Sequence, residues 1–417
     1  MIAEFRTGTR TEKIVIPDTM HVQTLVPREL PEDPEEDRII RGALKAPDDS
    51  PRLKDIVRPG EKIVLITSDI TRPCPTMKIM PALLDELYEA GIARSDITLM
   101  FARGSHRPQT PEEQAHLAGE RAWKEIRCVD SDPDDTVRLG FTRRGTPVDI
   151  DRRAAEADRR ICIGNVEYHY FAGYSGGAKA LMPGVSTREA IQANHRLMTD
   201  ENACAGKLEG NPIREDIEEA GAIAGIDFIV NVVLNTKKQI VYAVSGDVTS
   251  AHRRACRYLD RFYRCPLERK ADIVVVSQGG APKDLNLYQT QKALDNAKHA
   301  VREGGMILLV GSCAEGFGEP HFEEWMRTIR DPETMIRKIR EHFILGAHKA
   351  AAIAQTARKA RIVLISDLDP QLIENTILEP GESLPAAWEK ALQIYGSDAS
   401  VILMPYGGST LPVYGTD

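Results

Sequence analysis

KIVLITSDITRPCPTMKIMPALLDELYEAG, residues 62–91, decides the fold. KIVLITS (62–68) is a short apolar, β-branched run and reads as a buried strand. DITRPCP (69–75) is polar and proline-rich, so it continues neither strand nor helix. A helical pattern follows over 77–89 and closes at Gly91. The same unit recurs outward. ITLMFA (97–102) reads as a strand feeding the loop RGSHRP (103–108), and RRICIGNV (159–166) as a strand feeding EYHYFAGYSGGAKALMPG (167–184). Helical segments are expected over 187–198, 213–225 and 251–263, and strands over 228–234 and 239–244. After Cys265 and Pro266 the alternation restarts with strands ADIVVVSQ (271–278), GMILLVGS (305–312), RIVLISD (361–367) and SVILMP (400–405).

Strands alternating with helices mean mostly parallel sheets covered by helices. The expected fold class is therefore α/β, with two α/β domains, 1–267 and 268–417. PEDPEEDR (31–38) is acidic and proline-broken and reads as a solvated loop, with regular order beginning near Glu61. Open α/β sheets bind ligands beyond the carboxyl ends of their strands. Four polar segments sit at such ends, 69–75, 103–108, 167–184 and 278–292, and the expected site is an interdomain cleft.

Composition excludes several classes. The chain has 417 residues, 42% of them hydrophobic and 28% charged, and a net charge of -8. That balance gives no global attraction to nucleic acid or to an acidic membrane. No apolar run approaches the ~20 residues of a transmembrane helix. The N-terminus lacks the apolar core of a signal peptide. Seven scattered cysteines with no CxxC pair suggest neither a disulfide framework nor a zinc site. A cytoplasmic protein is the expectation.

The residues that can carry chemistry lie in the strand-end loops. Ser175, Gly176 and Gly177 can place backbone N–H groups around a phosphate, with Lys179 close behind. The Walker A spacing is absent, and spacing alone fits a surface turn with a solvated lysine equally well. Of ten histidines, His21, His116, His252, His299, His321 and His342 read as surface or packing residues. His106 and His169 fall in strand-end loops, and His195 in the helical segment TREAIQANHRLM. Asp69 and Arg72, three apart on a turn, can pair so that the guanidinium grips a carboxylate; a purely local ion pair is the alternative. Gln289 and Lys292 share a helix face next to Tyr288, which suits either a ligand or a solvated helix end.

DITRP (69–73), GSHRP (104–108), HYFAGYSGGAKALMPG (169–184), ANH (193–195) and GGAPKDLNLYQTQK (279–292) together resemble the nickel-pincer lactate racemase family. They occur in that family's order, with ten residues from His169 to Lys179 and sixteen from Lys179 to His195. The resemblance runs from about Glu61 to the C-terminus. It implies a racemase or epimerase of 2-hydroxyacids. It also implies a pyridinium-3-thioamide-5-thiocarboxylate mononucleotide on Lys179, carrying nickel with His195 as protein ligand. Asp69, Thr71, Ser175, Gly176 and Gly177 would hold the cofactor. Arg72, Tyr288, Gln289 and Lys292 would hold the substrate carboxylate, and His106 and His169 would be the acid/base pair. Cofactor-biosynthesis proteins are implied partners. Hydride leaving for the cofactor avoids a carbanion, and return to the opposite face inverts the centre.

Lactate-specific members of that family carry an aromatic residue where this chain has Ser105. They carry another, usually Trp, near His348, and a small polar residue in place of Arg103. The resemblance thus implies a substrate larger or more polar than lactate, a hydroxydicarboxylate or sugar acid, with Arg103 and His348 in its wall. Two other classes compete. A nucleotide-dependent dehydrogenase is disfavoured because no GxGxxG follows a strand. A non-enzymatic nickel or cofactor carrier would not need both His106 and His169.

Overall fold

The structure is a computed structural model that describes residues 1–414. The chain forms two compact units, Glu29–Arg261 and Met1–Arg28 together with Phe262–Asp417. The first unit is built on a six-stranded sheet. Its order is Ile240–Gly246, Phe228–Leu234, Arg159–Asn165, Ile63–Ser68, Ile97–Ala102 and Arg127–Asp130. Every pairing is parallel except that of Phe228–Leu234 with Ile240–Gly246. One face packs under the helix Thr76–Glu89, whose Leu83 and Leu87 are buried with Leu65, Leu99, Ile161 and Phe228. Each such side chain contributes about 1.5–3 kcal/mol on leaving water.

Arg159–Asn165, Ile63–Ser68 and Ile97–Ala102 are adjacent and parallel. The loops after them therefore leave the same edge of the sheet, which gathers three of the four segments singled out above. The second unit has an all-parallel six-stranded sheet, in the order Glu379–Gly381, Arg361–Ile365, Val301–Val310, Ala271–Ser277, Val401–Met404 and Val22–Thr24.

Two expectations about the N-terminal stretch are corrected. Regular order begins well before Glu61, and the first 28 residues belong with the C-terminal unit rather than with a 1–267 domain. Val22–Thr24 pairs with Val401–Met404, and the hairpin of Ile2–Thr7 and Arg10–Val15 buries Phe5 and Ile14 against Ile273 and Trp388. A pairing between the two ends of the chain leaves no local sequence signal. PEDPEEDR is also not wholly loop, because Glu36–Lys45 is a helix with Ile40, Ala43 and Leu44 buried along one stripe. Among the described residues no helix is long and apolar enough to cross a membrane.

Candidate active site

Asp69 follows the strand Ile63–Ser68 and is 2% exposed. It accepts the Thr71 hydroxyl at 2.7 Å, the Thr71 N–H at 3.2 Å and His106 Nδ1 at 2.7 Å. Burial alone would raise its pKa. The bonds from His106 and Thr71 outweigh burial and hold the carboxyl below its usual range. An ionised Asp69 accepts only, so His106 carries its proton on Nδ1 and turns a basic Nε2 outward. Asp69 was expected to pair with Arg72, and its hydrogen bonds run to His106 and Thr71 instead. Arg72 is exposed and donates to the Thr71 hydroxyl at 3.2 Å. Gln109 ties the two loops, accepting from Ile70 N at 2.9 Å and donating to Asp130 at 2.8 Å.

Phe171 brings His169 and His195 together. Its ring meets that of His169 at 4.4 Å and that of His195 at 4.9 Å, both edge-on. His195 ends the helix Arg188–His195, started by Thr187, whose hydroxyl accepts Ala190 N at 3.2 Å. His195 Nδ1 lies 3.0 Å from Asn194 Oδ1. The Asn194 amide is oriented because its Nδ2 donates to Asp216 at 2.8 Å. The imidazole therefore holds its proton on Nδ1 and presents the Nε2 lone pair, the tautomer a metal ligand needs. His169 Nδ1 accepts Ala172 N at 3.2 Å. Burial first, then the charges of Lys179, Arg72, His195 and Arg214, push His169 well below the ordinary histidine range.

Lys179 lies in the single 3-10 turn Gly177–Ala180. Burial, then Arg72 and Arg214, pull its pKa well below the usual lysine range, with exposed Glu167 opposing weakly. Lys179 is half-buried, and its surroundings favour the neutral amine, the nucleophilic form of a lysine. The turn before it is tightly built. Gly176 and Gly177 have φ of 78° and 61°, and a Cβ on Gly176 would stand 2.6 Å from Asn231 Oδ1. Only glycine fits there.

Two backbone N–H groups of the expected phosphate cradle are bonded within the protein. Gly177 N donates to Asn231 Oδ1 at 2.8 Å and Ser175 N to Glu167 O at 2.9 Å. The Ser175 hydroxyl donates to Asn165 O at 2.7 Å and accepts Glu167 N at 2.9 Å. These donors shape the turn and are already used. Arg214, Asn231 and His252, whose Nε2 donates to Ser175 O at 2.8 Å, hold the turn from behind. Sequence reading missed Arg214 and Asn231 and took His252 for a packing residue, since nothing local links them to the loop.

Arg103 is half-buried and its Nε donates to Ser131 O at 2.8 Å. Ser105 is exposed. In the other unit, the helix Leu287–Ala297 is capped by Asn286, which accepts Gln289 N at 3.0 Å. Tyr288 and Gln289 are half-buried there and Lys292 is exposed. Lys349, which sequence reading passed over, donates to Tyr288 O at 2.5 Å and stands 3.9 Å from that ring's centroid. Burial, then the charge of Lys292, lowers Lys349 to about 7.

His348 does not open a wall as expected. It is 5% exposed, packs on Phe343 at 5.3 Å and accepts Gly346 N at 2.9 Å. Burial, then Lys349, pushes its pKa down to about 3. Its folded pKa thus lies below the ordinary unfolded value of ~6.5. The unfolded chain takes a proton that the folded chain refuses, so stability is intact above ~6.5 and is lost as pH falls toward 3. At pH 5 this one group costs about 2 kcal/mol. His348→Asn keeps an acceptor for Gly346. Melting curves at pH 7 and pH 5 should show a smaller acid loss in that variant than in the wild type; equal losses would contradict the assignment.

Among the described residues no group of three or more His, Cys, Asp or Glu side chains could hold a metal ion. His169, His195 and His252 lie around Lys179 without forming such a group. Any metal there needs further ligands from a group bound to the protein, and a free lysine amine is suited to attach one.

Lys179, the Asp69–His106 pair and His169 come from loops at the carboxyl edge of a mostly parallel sheet, with His195 beside His169, the arrangement of an α/β enzyme. Family models described as the lactate racemase N-terminal and C-terminal domains match residues 7–206 and 267–411. The chain is 31% identical to the lactate racemase of Thermoanaerobacterium thermosaccharolyticum over 386 residues, 90% of each chain. It is 33% identical to that of Lactiplantibacillus plantarum over 382 residues, 89% of this chain and 90% of the other. The solved apoprotein of the Thermoanaerobacterium enzyme superposes with a TM-score of 0.87 at 29% identity, covering 99% of this chain and 100% of that one. A Thermotoga maritima protein shares the fold at 18% identity and a TM-score of 0.63, covering 93% of this chain and 100% of that one. This chain belongs to the lactate racemase family and is an enzyme of the isomerase class.

Proposed function

We propose that this isomerase is a racemase or epimerase of a 2-hydroxyacid, working with a nickel-pincer nucleotide joined to Lys179. The observation that carries the reading is Lys179, its pKa drawn down, beside the His169–Phe171–His195 cluster. Lys179 would hold the organic group, and His195 the nickel through Nε2. Bound there, the group would supply a hydride acceptor and donor. His106 Nε2, with Asp69 behind its ring, takes the hydroxyl proton from one side of the substrate. His169 supplies it on the other side, and the roles exchange for the other enantiomer. The substrate carboxylate, gripped by Arg72, would bring negative charge to His169, which otherwise faces only cations. Proteins that build the cofactor would be the partners.

The preferred substrate carries an additional polar or anionic group, as in a hydroxydicarboxylate or sugar acid. The support is Arg103, three residues before His106, with exposed Ser105 between them. The buried His348 no longer contributes to this reading. A charge-assisted contact from Arg103 is worth ~1.5–3 kcal/mol, or about 10- to 150-fold. The test is a panel of single-enantiomer 2-hydroxyacids with holoenzyme, resolved by chiral chromatography. Arg103→Ala should lower turnover of the longer acid by that factor and leave lactate within about twofold. Lactate as best substrate with Arg103→Ala silent would retire the larger substrate. No inversion of any 2-hydroxyacid would retire the activity.

A further inference from the structure

Arg214 is the third residue of the helix Pro212–Ala224, and its side chain is 0% exposed. The first turn of a helix favours negative charge, so a buried cation is costly there. Its nearest carboxylate, Glu218, is 4.0 Å away, and both Glu218 oxygens are held by Arg253 at 2.7 and 3.0 Å. The guanidinium is spent on backbone instead. Nε donates to Ala172 O at 3.1 Å, one terminal nitrogen to Gly176 O at 3.4 Å, and the other to Tyr174 O. Those carbonyls alternate along the loop that ends in Lys179. Gly176 O also receives Lys179 N at 3.3 Å, so the guanidinium and the lysine turn share one acceptor.

We propose that Arg214 is the positioning residue of the Lys179 turn: its planar fork, threaded onto the carbonyls of Ala172, Tyr174 and Gly176, fixes the path of the loop and stands as a buried positive charge behind the amine. The guanidinium matches this task because it reaches three acceptors from one rigid plane and stays charged when buried. Lysine would keep the charge and lose the fork; methionine would fill the space and lose both. The charged groups facing Lys179 are Arg72, Arg214 and Glu167. Arg72 and Glu167 are exposed and screened by water, which leaves Arg214 as the buried charge. This inference rests on the reading that Lys179 is the attachment point, since only then does its amine need to be free.

The experiment uses the full chain without cofactor and acetic anhydride as probe. Acetylation of Lys179 at pH 7 is read by peptide mass spectrometry against exposed Lys45. Arg214→Met should lower the Lys179 to Lys45 ratio about tenfold, the effect of one unit in amine pKa. Arg214→Lys should lower it less than about threefold, while amide exchange over 172–177 quickens. A folded Arg214→Met protein that labels like wild type would overturn the proposal. Should Arg214→Met fail to melt cooperatively, Arg214→Lys decides. A tenfold loss there with exchange unchanged would equally overturn it. Labelling as predicted in a protein that never acquires an adduct would retire the cofactor reading and leave the role of Arg214 intact.

Discussion

Lys179→Ala gives a folded protein with no covalent adduct and no racemisation above the uncatalysed rate. Lys179 sits on a turn whose shape is set by Arg214, Asn231 and His252 acting on the backbone of 172–177. Removing its side chain therefore leaves the turn in place and deletes only the amine. Lys179→Arg fails equally, because a guanidinium stays protonated and is not acylated. His195→Ala separates the two functions of the site. The organic group should stay on Lys179, nickel should be lost, and turnover should fall with the metal. Chiral chromatography of the product and metal analysis of the same sample make the comparison. Turnover by Lys179→Ala at the wild-type rate would remove the lysine from the mechanism.

His106→Ala lowers kcat by at least ~100-fold, the usual weight of a positioned acid or base. Asp69→Asn has a comparable effect without removing the imidazole. An amide in place of the carboxylate can donate to Nδ1, which drives the proton to Nε2 and leaves no base facing the substrate. Because Asp69 also accepts twice from Thr71, the loop keeps most of its tethers in the variant. His169→Ala also falls at least ~100-fold in rate. KM changes less than kcat in all three, since none of these side chains is the carboxylate clamp. Normal kcat in His106→Ala and His169→Ala would show the roles to be wrongly placed.

The strand-loop unit at 62–91 and its repeats were readable because β-branched runs and proline-rich turns are local signals, and they brought His106, His169 and Lys179 to one sheet edge. What joins those residues was not readable. Asp69 looked like a partner for Arg72, three residues on, whereas its acceptor sites go to His106 from another loop and to Thr71. The Ser-Gly-Gly run looked like an anion nest, yet its N–H groups at 175 and 177 are used by Glu167 and Asn231. Glycine there allows close approach of protein to protein. His348 looked like a polar opening and is a buried neutral ring. The first 28 residues fell outside the order expected from Glu61 because their strand partner is at the other end of the chain. Each of these rests on a tertiary contact that periodicity and turn chemistry cannot encode.

The central claim is that Lys179 carries the cofactor, and intact mass is its most direct test. The full-length protein should be made in a host that supplies the pincer nucleotide and weighed before and after peptide mapping. The account predicts one adduct per chain, mapped to Lys179, with nickel in equal amount and the adduct absent from Lys179→Ala. Unmodified, metal-free protein that inverts a 2-hydroxyacid at the full rate would contradict it.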